Sequence, residues 1–494
     1  MKTCIIIGGG IGGLVTGALL AKEGYRVTVL EKNAIIGGGL QTFKRHGVSF
    51  PTGMHIFGGF QEGGNLRKLF EYLGVMDQIS LQPMDENASD VVTVLHEGTT
   101  YQLPQGKAQY IAYLSAMFPA EKEPIRVYIE RLFELSEEED LFYLRESPEE
   151  HLSHSEDFLG SVNRLRDRYI TDPELKALLG YLNGLMGGVG ETTPAYIHAL
   201  LSILHINGTF QFVGESQQLA DAMEKVIEKA GGQIIANEEV VKIEVENHQV
   251  AGVYTKNGHC YQADSYISDV HPDVLLRIID PQAFTTAFKT RIQSVPETVS
   301  SFKVFIKLKD RAFPYQNHSH FCLSDTHDWP QNLMFVTPPV AKQDEFAQTM
   351  VIIAEMPYEW VKPWENTRTG HRGEAYEQWK KKMTDKVLDV MEHLYPDFRD
   401  RIGFVFASSP LTIRDFYGNK EGSNYGFRKD SNNLMLSQMS VSTKVRNLFL
   451  TGQNVNIHGL CGVSLTAIET AEALVGHNTI VRKINESQRL KKQG

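Results

Sequence analysis

An α/β fold with an inserted α+β region is predicted by three observations along the 494 residues. A glycine-dense strand–turn–helix–strand unit opens the chain, a strand-rich segment with short turns spans residues 228–272, and a buried strand followed by a helix occupies 445–476. Hydrophobic residues make up 42% of the sequence, which supports a sizeable core, and the length exceeds what one core usually reaches. Two interleaved domains are therefore expected.

The opening unit runs from Cys4 to Ile7 as a buried strand, through Gly8-Gly9-Gly10-Ile11-Gly12-Gly13 as a turn, into a helix over Leu14 to Glu23, and on to a strand from Arg26 to Leu30. Six glycines between positions 8 and 17 rule against a secretory leader, whose apolar segment is continuous. The spacing is G-x-G-x-x-G with an acid, Glu31, 18 residues after Gly13. That is the dinucleotide fingerprint of a Rossmann-type fold. Gly8 permits the tight turn, Gly10 lets backbone approach a pyrophosphate, Gly12 continues the loop, and Gly13 allows close helix–strand packing. The helix N-terminus offers N–H groups to phosphate oxygens, and Glu31 accepts from ribose hydroxyls. A merely structural glycine turn is the competing reading.

A second glycine cluster, Gly37-Gly38-Gly39, follows soon after. NAD does not require it, whereas a cofactor extending past its pyrophosphate to a flavin needs another close backbone approach, so FAD is expected. Lys32, beside Glu31, and Leu40, after the cluster, join Gly38 and Gly39 as cofactor-binding candidates. Near the C-terminus, Leu448 to Leu450 is a strand, Gly452-Gln453 a turn, and Gly462-Val463 the start of a helix running to about Leu474. That helix start would stabilise negative charge on a reduced flavin.

These stretches, with "SFPTGMHIFGGFQEGGNLRKLFEYLGVMD" (49–77), "LNGLMGGVGETTPAYIHALL" (182–201), "SSPLTIRDFYGNKEGSNYGF" (408–427) and "LFLTGQNVNIHGLCGVSLTA" (448–467), carry a resemblance over nearly the whole length. The chain resembles the phytoene desaturase, carotenoid isomerase and retinol saturase branch of the FAD-dependent amine oxidase-like superfamily, and within it the bacterial retinol 13,14-reductase-like proteins. The resemblance implies FAD chemistry on double bonds of long polyenes. It also implies that the 228–272 segment completes the FAD domain, with Val240 presenting backbone to adenine; core packing is the alternative for that valine. Two departures stand out. Phe50-Pro51-Thr52-Gly53 replaces the usual Phe-Asp-Thr-Gly, and Gly214-Glu215-Ser216 replaces Gly-Gly-Ser.

The implied organisation is a FAD-binding domain assembled from 1–80, 206–280 and 431–480. A mainly helical substrate or lid region at 81–205, a substrate domain with mixed sheet at 281–430 and a basic tail at 481–494 complete it. Residues 300–310 alternate apolar and polar, the pattern of a half-buried strand. Tyr358, Trp360 and Trp364 are expected either to line a polyene tunnel or to pack a sheet on helices. The acidic run Glu137 to Asp140 reads as a solvated face, and the tail as disordered or touching anionic lipid.

Candidate proton-handling residues are His55, Tyr425 and His458, each with a structural role as the competing reading; Cys461 reads as a buried inert thiol. No metal site is expected. The net charge of −11 argues against nucleic acid, and four scattered cysteines fit a reducing cytoplasm. Peripheral contact with the inner membrane face is a further expectation, as is NAD(P)H or another electron donor or acceptor. Three functions stay open: a polyene saturase, a desaturase or isomerase, and a non-catalytic flavin-binding lipid carrier.

Overall fold

A computed structural model describes residues 1–148, 154–324, 328–342 and 344–493. Its nucleotide-type sheet is five-stranded and wholly parallel, in the order Gln233–Ile235, Arg26–Leu30, Thr3–Ile7, Ser265–Ser268, Leu448–Leu450. The strand Thr3–Ile7 shows why its near-continuous apolar run is needed. Successive side chains alternate faces, so Cys4 and Ile6 join one core while Ile5 and Ile7 join another. The first core receives the helices Ile11–Lys22, Gln217–Lys229 and Gly459–Val475 through Leu14, Leu19, Met223, Ile227, Leu465 and Ile468. The second receives the antiparallel strands Val240–Glu246 and Gln249–Thr255 through Ile243 and Val253.

A second sheet has seven strands in the order Ile402–Ser408, Ser300–Leu308, Thr349–Met356, Asn332–Val336, Ser319–Leu323, Asp90–Val94, Thr99–Leu103. Only the join between Ser319–Leu323 and Asp90–Val94 is parallel. The region 81–205 is thus not purely helical, since it supplies two strands of this sheet. The helix Glu374–Leu394 covers one face, and Lys107–Met117, Lys122–Glu137 and Ala195–Ile206 cover the other.

Cover on both faces corrects the half-buried expectation for 300–310. Phe302, Val304, Ile306 and Leu308 pack under Glu374–Leu394, while Phe305 packs in the opposite core and Lys303 is buried as well. Trp364 packs against Trp379 and, edge to face, Tyr376, with ring centroids 5.4 and 5.5 Å apart, and Trp360 lies 5.9 Å from Trp329. These aromatics pack a sheet on a helix and do not line the central cavity.

Two polar segments differ from expectation. In the acidic run only Glu137 is exposed; Glu138 accepts from the Ser155 amide at 2.8 Å and Asp140 pairs with Arg145 at 3.0 Å. The basic tail is helical over Thr479–Gln493, because Ile480, Val481 and Ile484 form an apolar stripe that seals against the first core. Its Lys483 and Lys491 pair with Glu23 at 2.6 Å and Glu71 at 2.9 Å. Among the described residues no single helix is long and apolar enough to cross a membrane.

Candidate functional site

The turn after the first strand is shaped by contacts that only glycine tolerates. Gly8 has φ +105°, in the left-handed region. A Cβ on Gly10 would lie 2.7 Å from Asp269 Oδ2, and one on Gly13 would overlap the Gly8 carbonyl. The helix begins at Ile11 rather than Leu14, so Gly12 and Gly13 form its first turn and point its N-terminus at the loop. Glu31, 7% exposed, holds the loop from below: one carboxylate oxygen accepts from the Gly9 amide at 2.8 Å, the other from Asn33 at 2.8 Å.

The second glycine cluster is tied directly to the first. The Gly37 amide donates to the Gly9 carbonyl at 2.7 Å, and a Cβ on Gly38 would lie 3.3 Å from the Gly10 Cα. Gly39 packs in turn beneath Gly53, where a Cβ would lie 3.2 Å from the Gly39 Cα and 2.8 Å from the Tyr417 hydroxyl. The third element is Gly452, with φ +91°, at the end of strand Leu448–Leu450. The following helix starts at Gly459, earlier than Gly462, with His458 at its N-cap.

These segments line one cavity of about 670 Å³. Gly8, Gly10, Gly12, Glu31, Lys32, Gly38, Gly39, Val240, Gly452, Gln453, Gly462 and Val463 contribute to its wall. Gly13 and Leu40 do not. Gly13 sits at the helix–strand contact, and Leu40 is a core residue whose carbonyl accepts from Ser216 at 2.7 Å. Burial lowers the Lys32 ammonium, whose Nζ donates to the Asp415 carbonyl at 3.3 Å. Of the two departures from pattern, Glu215 meets Ser49 at 2.7 Å and Lys44 at 3.1 Å, so its charge is paired. Pro51 ends a short antiparallel strand opposite Thr42.

His55, Tyr425 and His458 all line the same cavity. His55 is 8% exposed, and both of its ring nitrogens are buried with no hydrogen-bond partner. Burial, aided by the Lys303 charge, pushes its pKa down to about 3. Tyr425 and His458 rings are 4.4 Å apart. His458 Nε2 is 2.8 Å from the Leu185 carbonyl, so that nitrogen carries the proton, and burial lowers the ring to about 4. Burial raises the Tyr425 phenol. Cys461 is buried, and its thiol is pushed up to about 12.

Several cavity residues escaped sequence reasoning. Lys303 is buried at 6% exposure, donates to the Thr52 carbonyl at 2.7 Å, and is lowered by burial to about 8. A lysine inside the apolar run "SSFKVFIKL" was its only signal. Asp269 follows the strand Ser265–Ser268 at the mouth of the first turn; burial raises its carboxyl to about 7, against hydrogen bonds from Gly13 and Gly10. Nothing in the sequence distinguishes it from an ordinary loop aspartate. Beyond the glycines the wall turns apolar, with Leu200, Leu201, Leu204, Phe321, Leu333 and Met334.

Three glycine cradles, a helix N-terminus, an acid at the end of the second strand and an orphaned buried histidine fit a dinucleotide-linked flavin. The sequence profile described as flavin containing amine oxidoreductase matches residues 11–475. The chain is 25% identical to all-trans-retinol 13,14-reductase of Danio rerio over 98% of this chain and 88% of that protein. It is 26% identical to prolycopene isomerase 1, chloroplastic, of an Oncidium hybrid cultivar, over 85% of this chain and 74% of that one. Among solved structures, an oxidoreductase from Methanosarcina mazei superposes with a TM-score of 0.67 at 17% identity, covering 95% of this chain and all of that one. Fold and site define a flavin-dependent oxidoreductase. The chain belongs to the flavin containing amine oxidoreductase family.

Proposed function

We propose that this protein is an FAD-dependent oxidoreductase that saturates a carbon–carbon double bond in a long apolar polyene of retinoid or carotenoid type. The observation that carries the reading is the continuity of one cavity from the glycine cradles to the apolar wall of Leu200, Leu204, Phe321 and Met334. Similarity to the retinol reductase and the prolycopene isomerase supports the substrate class.

Bound FAD would supply a hydride donor or acceptor at flavin N5. The remaining work falls to the chain. The turns at Gly8–Gly13 and Gly452 would hold the pyrophosphate, Glu31 and Lys32 the ribose side and Val240 the adenine edge, and Gly38 and Gly39 would leave room for the flavin. The apolar wall binds the polyene and excludes water. Saturation also requires one proton. Burial keeps His55 neutral near pH 7, which suits it to positioning, whereas Lys303, lowered to about 8, is better matched to proton delivery.

The relation to a prolycopene isomerase favours one second reading, isomerisation without net redox change. The proposed electron partner is NAD(P)H or another external donor or acceptor; the one complete dinucleotide fingerprint is assigned to FAD and provides no dedicated NAD(P)H fold. The proposed setting is the cytoplasm, with transient contact at the inner membrane face where apolar polyenes partition.

The test is anaerobic. The purified flavoprotein is reduced, and retinol and carotenoids are added one at a time. Flavin reoxidation with a product two mass units heavier supports saturation, and isomers at unchanged mass support the second reading. Binding without turnover by any polyene would leave a lipid carrier.

A further inference from the structure

We propose that the substrate carries a hydroxyl group and that His205 recognises it; the inference rests on the polyene reading above. His205 lies in the last turn of helix Ala195–Ile206, lines the cavity and is 4% exposed. Its Nδ1 is 2.8 Å from Oδ2 of Asp90, at the start of strand Asp90–Val94, and the Tyr181 hydroxyl donates to the same oxygen at 2.9 Å. Asp90 is 1% exposed. None of the three belongs to the glycine segments.

A carboxylate oxygen can only accept, so Nδ1 carries a proton, and in the neutral tautomer this leaves Nε2 as a lone-pair acceptor. Among the described residues Nε2 has no hydrogen-bond partner. The Tyr181 ring stands 4.9 Å from Phe321, and Leu201, Leu204 and Met334 also line this cavity. An orientated acceptor in a wall that also carries Leu201, Leu204, Phe321 and Met334 selects a donor, and an apolar ligand's donor is an alcohol O–H. A hydrocarbon offers nothing there, and a carboxylate brings only further lone pairs.

Four cations line the cavity: Lys32 and Lys303 donate to the Asp415 and Thr52 carbonyls, and the other two, Arg166 and Lys176, would favour a carboxylate if free. They are not. Asp167 lies 3.3 Å from Arg166 and 3.2 Å from Lys176, so their charge is already shared with an acid. A purely structural role for the Asp90–His205–Tyr181 cluster accounts for the bonds at Nδ1 and leaves Nε2 unexplained.

The experiment measures binding, not turnover, on the purified flavoprotein, using quenching of protein fluorescence. Three probes are compared: all-trans-retinol, the same hydrocarbon with methyl in place of the hydroxymethyl, and retinoate. Wild type is expected to bind retinol about tenfold tighter than the hydrocarbon. In H205L the hydrocarbon affinity persists, which reports an intact cavity, and the preference for retinol disappears. Y181F leaves the Asp90–His205 bond in place and keeps the preference. Equal binding of alcohol and hydrocarbon by wild type, or a preference surviving in H205L, overturns the inference and leaves the polyene reading standing. Tightest binding of retinoate also overturns it and reassigns recognition to Arg166 and Lys176. Failure of all three probes to bind overturns the polyene reading itself.

Discussion

Lys303 donates to the carbonyl of Thr52 at 2.7 Å, fastening the middle of the apolar strand Ser300–Leu308 to the loop that carries His55. One bond thus couples the large mixed sheet to the flavin-side glycine segment.

Replacing that lysine by methionine keeps its length and removes its charge. In K303M, reoxidation of reduced flavin by substrate should slow by about 10²- to 10⁴-fold, the usual yield of a positioned proton donor. In wild type this step should weaken as pH rises through about 8, where the ammonium titrates, and the variant should lose that inflection. Stability gives a second readout. A folded pKa of about 8 against an ordinary 10.5 means the buried charge opposes folding below 8, so stability rises between those values. Denaturant titrations at pH 7 and 10 should show the rise in wild type and not in K303M.

Asp269 faces the same loop that would hold a pyrophosphate, and burial raises its carboxyl to about 7. Its folded pKa exceeds the ordinary 3.8, so the native state holds an extra proton between those values and apoprotein stability falls as pH rises through that window. FAD affinity should also fall above about pH 7, where an ionised carboxylate repels phosphate. D269N should bind FAD with a flat pH profile, measured by flavin fluorescence.

Glu31→Ala removes two acceptors, for the amides of Gly9 and Asn33. Leaving buried donors unpaired costs about 1–3 kcal/mol. The variant should therefore lose both FAD retention and several degrees of melting temperature, whereas E31Q should recover much of each.

His55→Phe removes two ring nitrogens that have no partner inside the protein. Its apoprotein should melt at the same temperature as wild type or higher, while turnover falls at least tenfold, because an unpaired buried group costs stability and is retained for its ligand. A lower melting temperature accompanying the loss of turnover would show that His55 is structural.

Ile484 is fully buried in the C-terminal helix. I484A should destabilise by about 2–5 kcal/mol, as other large-to-small core changes do, with the loss read in a urea titration.

The fold class was legible because strand Thr3–Ile7 and its glycine turn carry backbone requirements that few other structures share. Segments with strong local signals, such as the turns at Asn247-His248 and Asn257-Gly258, also fall where their composition implies. What stayed hidden depends on partners distant in sequence. The alternation in 300–310 cannot reveal that both faces of the strand are covered, and so it cannot show that Lys303 is buried. Asp90 becomes informative only when a strand, a helix and a turn bring it to His205 and Tyr181. The tail misled for another reason: its charges dominate the composition, while three isoleucine and valine side chains decide its docking.

The parallel sheet joins Thr3–Ile7, through Ser265–Ser268, to Leu448–Leu450. A ribosome adding roughly 5–20 residues per second delivers the last of these strands about 20–90 seconds after the first. Until then the nascent chain has its first glycine turn but no completed cradle. Flavin capture is accordingly a late event in the life of each molecule, and the unfinished edge at Ser265–Ser268 must be guarded, by its own chain or by a chaperone, throughout synthesis of the intervening residues.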